Sequence, residues 1–305
     1  MPDESVRINV TLPPELGVER RYAEYGAMLA QAEIDAVFII TPTTLHAQQI
    51  VQALRARKHV FSEKPLSLDI AECRRVEAEA ALQPDLKVMI GFVRRFDASY
   101  RHAYQLIRDG AIGKPLMARS HTLDQNDPSG FFVRFSATSG GMFVDMSVHD
   151  IDAVRWLLGA SDVARVYATG LVGVHEGLRE FRDTDNGVAT CEFTSGEIAT
   201  IYASRTMAHG FECSTELIGT KGRVLVGGDA RCDHVVISDV HGVRHPCTPT
   251  FYERFADAFL CEDIEFVQAV IEDRPAPLTL RDATEATRIA LAMRESLLER
   301  RVVAL

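Results

Sequence analysis

The sequence predicts two domains in series: an α/β unit with a parallel sheet, then an α+β unit built on a large, mainly antiparallel open sheet flanked by helices. Three observations carry this. Between Asp35 and Phe92, short apolar or β-branched runs alternate with longer helical ones, the pattern of parallel βαβ units. From Ala164 onward the runs are short, alternating and separated by turn residues. The chain has 305 residues, of which 47% are hydrophobic, enough to bury more than one core.

The elements follow in order. Residues 36–40 (AVFII) form a continuous apolar run, which suits a strand covered on both faces. Residues 45–58 have helical composition, and 59–62 form the next strand. A helix follows Pro65, with Asp69 as its cap and Glu72 three positions on, and residues 86–92 supply the third strand. Six runs (164–171, 187–194, 197–204, 214–218, 223–226 and 234–237) give the antiparallel sheet, with Ser195-Gly196 as a tight hairpin. Helices at about 252–272 and 280–300 close the chain around Pro275-Ala276-Pro277. There is no repeat or low-complexity tract.

Composition narrows the function. A formal net charge of -10 argues against a phosphate-backbone partner, so no nucleic acid is expected. No apolar run approaches the roughly 20 residues that span a bilayer, and residues 1–10 carry acids where a signal peptide would be basic and then apolar. A cytoplasmic protein without a membrane partner is the expectation. The six cysteines are scattered without a C-x-x-C, which fits reduced thiols better than zinc or disulfides.

Three clusters carry chemistry. Thr41-Pro42 follows the first strand, with His46 in the next helix; loops at the carboxyl ends of parallel strands gather ligands, although Thr-Pro alone reads as a turn and His46 as a first-turn surface residue. Ser62-Glu63-Lys64-Pro65 ends the next strand on the same rim. An ammonium at Lys64 can bond a substrate hydroxyl and exchange protons, or it can simply pair with Glu63 in solvent. The third cluster lies in 139–158, where helical spacing puts Asp145, His149, Asp152 and Trp156 on one stripe. A carboxylate one turn before a histidine can fix its tautomer, which suits a proton acceptor. A surface pair, a cap cluster and a metal site compete; metal is the weakest because no further histidine lies at ligand spacing.

These residues bring a family into view. Thr41-Pro42-Thr43-Thr44-Leu45-His46, Lys58 through Pro65, Gly91-Phe92-Val93-Arg94-Arg95-Phe96-Asp97, and Gly140-Gly141 with Asp145, His149 and Asp152 stand in the order found in the glucose-fructose oxidoreductase/inositol dehydrogenase/MocA (Gfo/Idh/MocA) family, which the chain resembles. Ile112-Gly113-Lys114-Pro115, Asp183-Thr184 and Tyr252-Glu253-Arg254-Phe255 extend the likeness toward its inositol 2-dehydrogenases. The resemblance implies a Rossmann-type NAD(P)-binding domain over 1–93, incomplete here, and a substrate-binding and oligomerisation domain over 94–305 that often forms homodimers or homotetramers. It implies catalytic roles for Lys64, Asp145 and His149, with Arg94 beside the substrate. Thr41, Pro42, His46, Glu63 and Lys64 would line the nicotinamide end of an NAD or NADP site, with no metal. The implied reaction is hydride transfer between nicotinamide and a secondary ring alcohol of a cyclitol or sugar.

Two departures from the family pattern stand out. The sequence contains no G-x-G, the loop whose amides hold a dinucleotide pyrophosphate, and residues 16–22 align past that point. The expectation is therefore either a start that lies further upstream or a non-catalytic, sugar-binding or scaffold homologue that has lost cofactor binding. Second, His209-Gly210-Phe211 and Phe259 stand where inositol dehydrogenases tend to carry tyrosines, which alters how a ring alcohol is held.

Overall fold

A computed structural model describes residues 20–159 and 162–305. The acidic start at 1–10 and residues 16–19 of the stretch 16–22 lie outside the described residues.

The first sheet has three parallel strands in the order β1 (Ala36–Ile39), β2 (His59–Glu63), β3 (Val88–Gly91). Helix α1 (Tyr25–Gln31) precedes it, and α2 (Thr43–Arg55) and α3 (Ile70–Ala81) make the crossovers. Spacing explains the packing of α2: Ala47, Ile50, Val51 and Leu54 fall on one face and are buried. Asp69 caps α3 as expected, its side chain accepting from the Ala71 amide. Glu72 does not close a capping box; its carboxylate takes the Ser67 hydroxyl at 2.6 Å.

The second sheet has seven strands in the order β12-β5-β6-β7-β4-β8-β9. These are β4 (Pro115–Gln125), β5 (Val163–Leu171), β6 (Asn186–Phe193), β7 (Ile198–Met207), β8 (Glu212–Gly219), β9 (Arg223–Gly227) and β12 (Val303–Ala304). The pairings are antiparallel except β4 with β7. The sequence reading missed β4, which lies inside the sheet between β7 and β8, because PLMARSHTLDQ has no clean apolar alternation: Ser120, His121 and Thr122 are buried polar residues. The run expected at 234–237 is not in this sheet; β10 (Ile237–Asp239) and β11 (Gly242–Arg244) form a separate exposed hairpin.

Helix α4 (Ala98–Arg108) leads from the first sheet to β4, and α5 (Phe131–Ser139), α6 (Met142–Asp145) and α7 (Ser147–Leu158) join β4 to β5. The helix expected at 252–272 is two, α8 (Phe251–Arg254) and α9 (Ala256–Ile271), with α8 started by a Thr250/Glu253 capping box. Helix α10 (Leu280–Glu299) packs on β5 and α7, and also reaches α3 and β3 of the first sheet. From α9, Phe266 packs edge-on against the stacked Phe38 and Phe61 rings at centroid distances of 5.3 and 5.8 Å. The end of the chain thus returns to cover the parallel sheet and fixes the first sheet against the second.

Candidate active site

The carboxyl ends of the three parallel strands deliver Thr41-Pro42 after β1, Glu63 and Lys64 at the end of β2, and Arg94 in the short 3-10 turn Val93–Phe96 after β3. Helices α6 and α7 and the end of β4 face them. One cavity of about 1120 Å³ lies between, and the eight residues that the resemblance assigns to the catalytic, cofactor and substrate sites (Thr41, Pro42, His46, Glu63, Lys64, Arg94, Asp145 and His149) all line it. That volume exceeds the roughly 300–1,000 Å³ of pockets holding one small ligand.

Lys64 sits at the centre. Its Nζ donates to the main-chain oxygen of Asp145 at 2.7 Å and to the Asp145 Oδ1 at 3.1 Å. A lysine ammonium has three donors, so one is left for a substrate oxygen. The other carboxylate oxygen, Oδ2, accepts from Arg205 Nη2 at 2.9 Å. Burial on its own would raise the Asp145 pKa, but the Lys64 and Arg205 charges outweigh it and hold the carboxyl below its usual range.

The single stripe read from the sequence is broken. Met146 separates α6 from α7, where the His149 amide reaches back only three residues, to the Met146 carbonyl. Asp145 consequently turns to Lys64 and Arg205 and does not orient His149, whose Nδ1 has no hydrogen-bond partner. Burial, with the Lys64 and Arg94 charges, holds the His149 pKa well below the usual imidazole value, so the ring is neutral at pH 7. Asp152 leaves the site altogether. It takes a two-point ion pair from Arg95 at 2.8 and 2.6 Å, while Trp156 stacks on Tyr104.

Arg94 reaches the cavity wall, but its guanidinium is already held. Nη1 donates to Asp150 Oδ1 at 2.8 Å and Nη2 to Thr122 Oγ1 at 2.5 Å, in a setting where Asp150 is fully buried. His46 is not the surface residue its position suggested. It is buried, and its ring nitrogens lie 2.8 Å from the carbonyl oxygens of Pro65 and Thr41, lacing the two loops together. Glu63 Oε2 accepts from the Lys64 amide, and burial raises its carboxyl pKa.

The nicotinamide end of a dinucleotide fits these residues. Gly91, at the cavity wall, leaves space that a side chain would remove: a Cβ there would come within 3.1 Å of the Phe61 ring and 3.3 Å of Glu63 Oε2. For the pyrophosphate end the sequence offers no G-x-G.

Sequence reasoning missed four features. Asp124, on β4, lines the cavity, and burial pushes its carboxyl up to about 6; β4 itself was not recognised. Glu262 on α9 is buried beside the cavity with Oε1 unpartnered. Arg205 was detectable as a lone cation at an inward position of an alternating strand. The fourth is the extent of an aromatic wall: Phe211 and Phe259, read from the sequence as pocket residues, line the cavity together with Phe251, Tyr252 and Phe255. His209 instead points toward Glu212, 3.4 Å away. Among the described residues, no three His, Cys, Asp or Glu gather as a metal site.

Residues 8–92 match the family model described as an oxidoreductase family with an NAD-binding Rossmann fold, and residues 100–225 match the GFO/IDH/MocA C-terminal domain. Across most of its length the chain is also similar to curated dehydrogenases. It is 34% identical to scyllo-inositol 2-dehydrogenase (NAD(+)) of Bacillus subtilis, over 92% of this chain and 81% of that protein.

The chain belongs to the Gfo/Idh/MocA oxidoreductase family. A myo-inositol 2-dehydrogenase of Thermotoga maritima is 33% identical, covering 95% of this chain and 86% of that one. Among solved structures, scyllo-inositol dehydrogenase of Lactobacillus casei with bound NAD(H) and scyllo-inositol superposes with a TM-score of 0.91 at 38% identity, over 95% of this chain and 86% of that chain. The Rossmann-type parallel sheet followed by a larger mixed sheet with helices is the family fold.

Proposed function

We propose that this family member is an NAD-dependent dehydrogenase that oxidises a secondary ring alcohol of a cyclitol, with inositols as the first substrates to try. The observation that carries the reading is the meeting of Lys64, Asp145 and His149, from separate parts of the chain, in one cavity with a Lys64-Asp145 contact of 3.1 Å. When bound against Thr41, Pro42, His46, Glu63 and Lys64, a nicotinamide supplies the hydride acceptor. The chain's own residues handle the proton. Neutral His149 accepts it from the substrate hydroxyl, and the free Lys64 donor stabilises the developing alkoxide. Asp145 anchors Lys64 by its carboxylate and its main-chain oxygen. Arg94, fixed by Asp150, presents a positive wall beside the substrate without surrendering its own partner.

The relatives' names favour NAD over NADP. The division near residue 93 follows the same reading, with cofactor contacts mostly before it and substrate contacts mostly after it. The outer face of the seven-stranded sheet exposes Tyr167, Val188 and Ile198, and we assign it to pairing of copies into a dimer or tetramer, which a size measurement checks. All six cysteines are free, in keeping with a cytoplasmic setting, and no described helix is long and apolar enough to cross a membrane.

The rival is a sugar-binding homologue without catalysis. Titration with NADH, followed by nicotinamide fluorescence, and absorbance at the NADH band with scyllo- or myo-inositol separate the two. The dehydrogenase predicts saturable binding and turnover; neither at millimolar cofactor would leave the rival standing.

A further inference from the structure

The sequence motif Asp183-Thr184 has no part in the chemistry above, yet Asp183 lies behind the active site. Its Oδ1 accepts from the Met142 amide at 2.9 Å and its Oδ2 from the Ser136 hydroxyl at 2.7 Å, so it ties the start of α6 to α5. Gly141 permits the approach: its φ is +87°, and a Cβ there would lie 3.0 Å from Asp183 Oδ1. Arg205, fully buried on β7, crosses from Asp183 to the far end of the same short helix. Its Nη1 lies 3.6 Å from Asp183 Oδ2, its Nη2 donates to Asp145 Oδ2 at 2.9 Å, and its Nε lies 3.1 Å from Met146 Sδ. The Phe132 ring covers the guanidinium at 5.1 Å.

We propose that Arg205, seated on Asp183, is a positioning residue: by occupying Oδ2 of Asp145 it leaves Oδ1 as the carboxylate oxygen that receives Lys64. The inference rests on the dehydrogenase reading for what Lys64 does, but not for the geometry. Four alternating charges, Asp183, Arg205, Asp145 and Lys64, run from behind the active site to the cavity. An arginine suits the place because its planar fork can serve two carboxylates from one fixed plane, which a lysine ammonium cannot. Without it, two buried carboxylates near each other lose their shared cation, and Asp145 is free to rotate away from Lys64.

The test is a cycle of Arg205→Met and Asp145→Asn, alone and combined, with Arg205→Lys as the conservative variant. Arg205→Met is expected to lower kcat about 10- to 100-fold, the range seen when a group that orients a functional one is removed, with KM little changed. Arg205→Lys should recover part of the loss. In the Asp145→Asn background the same replacement should cost no more than about 2-fold, because its effect runs through Asp145. Carboxyl-13C titration gives a readout independent of turnover: Arg205→Met should raise the Asp145 pKa. Losses that multiply in the double variant, or an Asp145 titration that does not move, would overturn the proposal. If Arg205→Met does not fold, Arg205→Gln, which keeps an amide N–H for Asp145 but no charge, carries the same measurements with the same signs. A wild-type chain without turnover sinks the dehydrogenase reading, whereas the Asp145 titration still judges the positioning role.

Discussion

Replacing Asp150 with alanine tests whether Arg94 belongs to the scaffold or is free for substrate. Asp150 is fully buried, and its carboxylate accepts from Arg94 Nη1 at 2.8 Å, Ser120 Oγ at 2.6 Å and Thr122 Oγ1 at 2.7 Å. Truncation leaves the guanidinium, itself 2% exposed, with only hydroxyl partners. An uncompensated buried charge of this kind costs about 3–5 kcal/mol, a large part of the 5–15 kcal/mol that typically holds a protein together. With a urea slope of about 3 kcal/mol/M, the midpoint should fall by roughly 1–2 M at unchanged slope. The assay is equilibrium urea unfolding followed by far-UV circular dichroism. A midpoint lower by less than about 0.3 M would mean that water already solvates Arg94, and its guanidinium would then be available to bind substrate directly.

Further predictions concern the frame and the pocket. Phe266→Ala removes a fully buried ring packed against Phe38 and Phe61, and should cost about 3–5 kcal/mol in the same unfolding assay. Asp124, with a pKa near 6, carries its proton below that pH and is an anionic acceptor for polyol hydroxyls above it. KM for the polyol should therefore fall as pH rises through 6. Asp124→Asn should flatten that limb in steady-state kinetics, and a limb that persists in the variant contradicts the assignment.

Much of the site was legible because its chemistry sits at strand ends, and strand ends can be read from apolar runs. The run at 36–40 and the strand before Lys64 suffice to put Thr41 and Lys64 on one rim. What escaped was decided by tertiary partners. The interior strand β4 carries Ser120 and Thr122 inward because the Asp150 carboxylate satisfies them, so its hydrophobic period is erased. The helical stripe from Asp145 to Trp156 failed for a similar reason: periodicity assumes an unbroken helix, and the turn at Met146 sends Asp145 to Lys64 and Arg205 while Asp152 pairs with Arg95. The family resemblance implied a place for Arg94 beside the substrate, and Arg94 does line the cavity, but the resemblance could not reveal the carboxylate that holds it.

The measurement nearest the central claim is the turnover of Lys64→Ala with inositol and NAD, compared with wild type under saturating conditions. Loss of the group that stabilises the alkoxide should lower kcat by about 100-fold or more, while the far-UV spectrum stays native. A folded variant whose kcat matches wild type within a factor of two would show that the cavity between Lys64, Asp145 and His149 is not where the alcohol reacts.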